Sequence, residues 1–197
     1  MNTIKIWNEN PSEKQLEAIN AILSEGRTAI LPTDTMYALV CDATNIKAVE
    51  RICRIKGINP EKTNLSILCS DISMAAEYAK IDNKGYRLLK ENTPGPLTVL
   101  FRTVSTLPRA FKNRKVVGVR IPDNAIARAV VSRLGRPLLS TTIEYDDEDY
   151  AVNPELIAER YDNLIDLMVE GEEGHIRQSA IIDATGNEPV TVREGVD

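Results

Sequence analysis

The chain has 197 residues, of which 43% are hydrophobic and 27% charged, with a formal net charge of −5. This fits one domain spanning 1–197 with enough apolar surface for a core without staples. No apolar run nears the ~20 residues that span a bilayer. The acidic balance argues against a broad nucleic-acid-binding surface, because neutralising phosphates dominates such binding.

The first residues, MNTIKIWNENPSEKQ, lack the basic and apolar regions of a secretory signal. Cys41, Cys53 and Cys69 are scattered and form no C-x-x-C pair, which suits a reducing compartment. A cytoplasmic protein with no membrane contact is expected.

In chain order, Ser12 with Gln15 forms a capping box, and Leu16, Ile19, Ile22 and Leu23 share one helical face that Gly26 ends. TAILPT (28–33) reads as a strand halted at Pro32. Thr44 caps a second helix, whose buried stripe is Ile46, Val49, Ile52 and Cys53. LSILC (65–69) is a buried strand. Asp71 or Ser73 opens a helix through Tyr78, and a further helix over 83–90 turns Tyr86 and Leu89 inward.

TPGP makes a rigid turn into the strand LTVLF (97–101), and VVGVRI (116–121) is a strand stopped by Pro122. Residues 124–134 form a helix closed by Gly135, followed by the strand PLLST. Asn153 caps a helix with Pro154 at its first position. LIDLMV, SAIIDAT and PVTVRE finish the chain as strands. The alternation predicts an α/β fold: one mixed sheet with helices packed on it.

Much chemistry is excluded. His175 is the only histidine and lies in a polar loop, so Ser-His-Asp and Cys-His constellations are not expected. Zinc-type ligand spacing, G-x-x-x-x-G-K-[ST] and G-x-G-x-x-G are all absent. The acidic run Glu144–Asp149 reads as a solvated loop in preference to a Mg2+ site. No protein-held metal and no tightly bound cofactor are expected.

Four segments deliver polar groups from buried strands or tight turns: 31–43, 54–64, 91–101 and 117–124. Arg120 sits between Val119 and Ile121 and must meet an anion, either a ligand or a carboxylate such as Asp34 or Asp183. Lys56 at a helix end also has a plain reading, compensation of the helix dipole, and Tyr37 that of a core tyrosine with a bonded hydroxyl. Ser140, Thr141 and Thr142 end a strand, with Thr141 on the opposite face from the other two.

Taken in order, these segments resemble the YrdC/YciO family. Its pattern runs PTDT-x-Y-G-L, K-x-R, PGP-x-T, VG-x-R-x-P, S-x-N, S-T-V-x-D and R-x-G. Here stand Pro32-Thr33-Asp34-Thr35-Met36-Tyr37-Ala38-Leu39, Lys56, Pro94-Gly95-Pro96-Leu97-Thr98, Val117-Gly118-Val119-Arg120-Ile121-Pro122, Ser140, Ser179 to Asp183, and Arg193-Glu194-Gly195. The resemblance implies a twisted open sheet with a concave basic cleft. The implied reaction converts ATP, bicarbonate and L-threonine to L-threonylcarbamoyladenylate and pyrophosphate, for threonylcarbamoyl modification of tRNA.

On that pattern Arg120 holds the threonine carboxylate, Thr35 and Ser179 hold the amino acid or its carbamate, and Tyr37 shapes their pocket. Lys56, also the candidate catalytic residue, joins Ser140, Thr142 and Arg193 on ATP, which brings Mg2+. tRNA-modification proteins are the implied partners.

Four positions depart from the pattern: Ile58 replaces an arginine, Thr142 an asparagine, Ala38 a glycine, and Cys69 a histidine of the synthases. They point to the YciO branch. The alternative is a non-catalytic nucleotide- or double-stranded-RNA-binding protein of the same fold, drawing on the basic stretch 102–120. Cys69 raises a third reading, a related reaction on another small acid.

Overall fold

A computed structural model describes residues 1–60, 62–104, 107, 111 and 115–195. Its elements are β1 (Asn2–Lys5), α1 (Glu13–Ser24), β2 (Thr28–Leu31), β3 (Ala38–Asp42), α2 (Ile46–Ile55), β4 (Leu65–Leu68), α3 (Ile72–Tyr78), β5 (Ala79–Lys80), α4 (Asn83–Asn92) and β6 (Leu97–Thr103). There follow β7 (Val116–Arg120), α5 (Ala125–Leu134), β8 (Leu138–Thr142), α6 (Asp149–Val152), α7 (Pro154–Tyr161), β9 (Leu167–Glu170), β10 (Ala180–Asp183) and β11 (Val190–Arg193).

The strands form one twisted mixed sheet in the order β1-β9-β2-β3-β8-β4-β7-β6-β10-β11, with β5 on the flank of β6. β2, β3 and β8 pair antiparallel, as do β8 with β4 and β7 with β6, whereas β4 and β7 run parallel. Local chemistry sets the helix starts. Ser12 and Gln15 make the reciprocal capping box of α1, and Asp71, Asp82, Asn124 and Asn153 each accept a first-turn amide. Gly135 closes α5 in the left-handed conformation, φ +68°, which favours glycine.

The structure corrects several expectations. Asn45, not Thr44, caps α2; the Thr44 hydroxyl instead donates to Asp42. Ile46 and Tyr86 are exposed, since each sits at the rim of its helix while the next turn carries the contact. β1, β3, β5 and α6 were not anticipated. β3 is a continuous apolar run buried on both faces, so it shows none of the alternation that marks a half-exposed strand.

The two faces of the sheet are covered unequally. On one, α2, α3, α4, α6 and α7 pack a core through Val49, Ile52, Ala75, Leu89, Ala151 and Ile157. On the other, among the described residues, α1 and α5 supply the main helical cover, through Leu16, Ile19, Leu23, Ile126, Val130 and Val131. The rest of that second face is open, and the cleft lies there.

Gly118 keeps this floor flat. A Cβ on it would meet Ser66 Oγ at 2.4 Å and Thr98 Cγ2 at 3.0 Å. Gly118→Val should therefore destabilise the fold by about 1–3 kcal/mol. Chemical denaturation measures this, and Ser66→Gly in the same chain should return part of the loss.

Candidate functional site

The cleft contains about 680 Å3 of empty space and opens over β4, β6, β7, β8 and β10. The register explains its composition. Leu68, Arg120, Thr98, Ile181 and Arg193 form one lateral row, and Ser140, Ser66 and Gly118 form the next. Arginines 120 and 193 line the cleft together with Thr98, Ser179, Ser66, Ser140, Thr141 and Thr142, and no lining residue is acidic. Thr141 borders it despite strand alternation, because the cleft runs over the open end of β8.

Arg120 is 8% exposed. Its Nη2 donates to Asp34 Oδ1 at 2.6 Å, Thr35 Oγ1 at 2.6 Å and Thr33 Oγ1 at 3.2 Å. The β2–β3 turn is shaped for this. The Thr33 hydroxyl donates to the Met36 carbonyl and accepts from the Thr35 amide, while Asp34 Oδ2 accepts the Asp123 amide at 3.0 Å. Arg120 Nε is buried with no hydrogen-bond partner among the described residues. An unpaired buried donor on a charged group is costly, and this guanidinium keeps one hydrogen-bond donor unspent.

Ser179 and Thr98 share a hydroxyl contact of 3.1 Å. Arg193 lies on the exposed edge strand but folds its guanidinium onto the Ser179 carbonyl, Nη2 at 2.7 Å and Nε at 3.1 Å. Partial burial first, and the Arg120 charge second, push the Arg193 pKa below the ordinary arginine range. Two guanidiniums that disfavour each other's charge form a site that an anion stabilises.

Of the residues picked from sequence, Arg120, Ser140, Thr142, Ser179 and Arg193 line the cleft, and Thr35 touches it through Arg120. Two stand apart. Tyr37 is fully buried; its hydroxyl donates to the Glu172 carbonyl at 2.8 Å and accepts the Gly171 amide at 3.1 Å. Burial pushes its pKa up to about 12. Lys56, the C-cap of α2, pairs with Glu144 at 2.9 Å and does not line the cleft.

Ser66, Thr98 and Glu144 were not picked, although the register of LSILC against PLLST and the PGP-x-T motif carry the first two. Cys69 belongs to the helix-covered core, and burial pushes its thiol well above the ordinary range, so it offers no base to the cleft. His175 is exposed. Arg109, Lys112 and Arg114 of the basic stretch lie outside the described residues.

Fold and site together define an open-faced α/β protein with a cleft, lined by two arginines and several hydroxyls, on the uncovered side of its sheet. The chain belongs to the Sua5/YciO/YrdC family: that family's profile, described as telomere recombination, matches residues 21–195. It is 36% identical over 191 residues to the uncharacterized protein YciO of Escherichia coli, covering 95% of this chain and 92% of that protein. The crystal structure of E. coli YciO superposes with a TM-score of 0.91 at 34% identity, covering 100% and 97% of the two chains.

Pyrococcus abyssi Sua5 in complex with L-threonine gives a TM-score of 0.89 at 26% identity, over 99% of this chain and 58% of that one. Bacillus subtilis threonylcarbamoyl-AMP synthase is 27% identical over 188 residues, covering 93% of this chain and 54% of the synthase. The chain thus spans a little over half the length of these two relatives.

Breaking the buried pair by Arg120→Met leaves Asp34 uncompensated and should destabilise the fold by about 3–5 kcal/mol. Asp34→Asn in the same chain should recover part of that in denaturant melts. Tyr37 has a second signature. Its folded-state pKa lies above the unfolded value of about 10, so its contribution to stability is present below pH 10 and is lost as pH rises toward about 12. Tyr37→Phe should be less stable at neutral pH and should flatten the alkaline limb of a stability–pH profile.

Proposed function

We propose that the cleft forms an adenylate from ATP and a small carboxylic amino acid, the reaction of a threonylcarbamoyl-AMP synthase, feeding threonylcarbamoyl modification of tRNA. The observation that carries this reading is a cleft lined by two arginines, Arg120 and Arg193, together with the hydroxyls of Thr98, Ser179 and Ser140 and with no acidic lining residue. A carboxylate suits such a lining. The names of the B. subtilis synthase and the threonine-bound Sua5 supply the chemistry that fits such a site.

Threonine and bicarbonate give a carbamate with loss of water. One carbamate oxygen bonds to the α-phosphorus of ATP as the α–β bridging P–O bond breaks, and pyrophosphate leaves. No side-chain nucleophile is required. Arg120 holds the amino-acid carboxylate, and Thr98 and Ser179 supply hydroxyls to the carbamate. Arg193 offsets charge gathering on the phosphoryl oxygens, and Ser140 and Thr142 meet the nucleotide. Mg2+ enters on the phosphates; among the described residues no His, Cys, Asp or Glu cluster of three is placed to hold a metal.

A second reading has one observation in its favour. Ile58 lines the cleft wall where the family pattern has an arginine, which suits nucleotide or double-stranded-RNA binding without turnover.

Incubation with ATP, L-threonine and bicarbonate should release pyrophosphate and an adenylate in equal amounts, with both co-substrates required. No product above blank at high protein concentration overturns the reading. Arg193 is on an exposed strand, so Arg193→Met should fold normally yet lower kcat/KM about 100-fold, the scale for one lost transition-state donor. Ile58→Arg with Thr142→Asn should raise turnover.

A further inference from the structure

The cleft meets its ligand with little free positive charge. Arg120 is neutralised by Asp34 at 2.6 Å, and Lys56 by Glu144 at 2.9 Å. Of these cations only Arg193 has no carboxylate on it in the described residues. The Lys56–Glu144 pair is placed to matter. Ile58, two residues after Lys56, and Thr142, two residues before Glu144, both line the cleft, so the pair lies just outside its lining.

The pair is also held firmly. The Lys56 side chain is 11% exposed. The main chain of Glu144 is pinned by Tyr161 on α7, whose hydroxyl accepts the Glu144 amide at 2.8 Å. The Glu144 main chain is therefore fixed beside Lys56, while its side chain, 59% exposed, reaches the ammonium from the solvent side. The next acid of that run to pair, Asp146, is taken by Arg160 at 3.0 Å and does not compete for Lys56.

We infer that Glu144 is a specificity residue: by holding Lys56 it biases the cleft against a nucleoside triphosphate and toward a nucleoside monophosphate. The proposal rests on the adenylate reading of the cleft. A monophosphate can be met by Arg193 and the hydroxyls of Ser140 and Thr142 without disturbing the pair. A triphosphate brings additional negative charge that must either take Lys56 from Glu144 or lie near its carboxylate, and a like-charge approach of that kind is disfavoured. Ile58 deepens the bias, because an apolar side chain faces the same wall and offers a polyphosphate nothing.

Calorimetric titration of the full chain with AMP and with ATP, without threonine or bicarbonate, tests this. Wild type should bind AMP at least as tightly as ATP. Glu144→Gln should tighten ATP about 5–10-fold and AMP less than about 2-fold, and in a Lys56→Met background the gain for ATP should vanish, the mark of a direct coupling. Equal gains for both nucleotides, no gain, the same gain without Lys56, or wild type binding neither nucleotide would each overturn the proposal. Product formation measured on the same proteins separates the two readings. Tighter ATP binding without product removes the synthase reading alone, and product without the coupling removes the role of Glu144 alone.

Discussion

A guanidinium carried on a buried strand constrains everything around it. Arg120 is the last residue of β7, flanked in the sheet by Leu68 and Thr98, and no water can reach most of it. An ion so placed demands compensation of several kcal/mol. The β2–β3 turn supplies it by bending Thr33, Asp34 and Thr35 back to a single nitrogen of the guanidinium. The same turn ties to α5 through the Asp123 amide, so the segment that neutralises the charge also fixes the helix covering that half of the sheet. What compensation leaves over is the side of Arg120 that lines the cleft.

The openness of the cleft follows from how the sheet is covered. Two helices on one face cannot shield ten side-by-side strands, and the uncovered strands carry small or hydroxylated residues where apolar ones would be exposed to water. Ser66 and Ser140 tolerate that exposure, and Gly118 lets Ser66 and the buried Thr98 close over the floor with no side chain between them. Packing and recognition are thus one requirement here: a bulkier floor would be poorer for folding and would fill the site.

Much of this was legible in the sequence because it is local. Caps at Ser12, Asp71 and Asn153, the Gly135 stop, and the apolar strands with their polar ends all depend on near neighbours. The ordered motifs then placed Arg120, Ser179 and Arg193 together. What could not be read depends on partners distant in the chain. β3 hides as an undifferentiated apolar run until β2 and β8 flank it. Tyr37 sits in the most recognisable motif, yet its hydroxyl serves the 171–172 loop, some 135 residues on. The partner of Lys56 lies in an acidic run that composition marks only as solvated.

The positions that match the family pattern and those that depart from it fall in different physical settings. Arg120, Thr98 and Ser179 are buried in the floor, where each has fold-stabilising bonds, so losing any of them disturbs the sheet as well as the site. Ile58 and Thr142 line the cleft just past α2 and at the end of β8, and Glu144 lies just beyond Thr142. A protein of this architecture can therefore keep the buried polar floor that its fold needs while the residues at the ends of its elements vary. On the proposed reading, the floor meets a carboxylate or phosphate, and the charge left free beside it sets how much negative charge that ligand can carry.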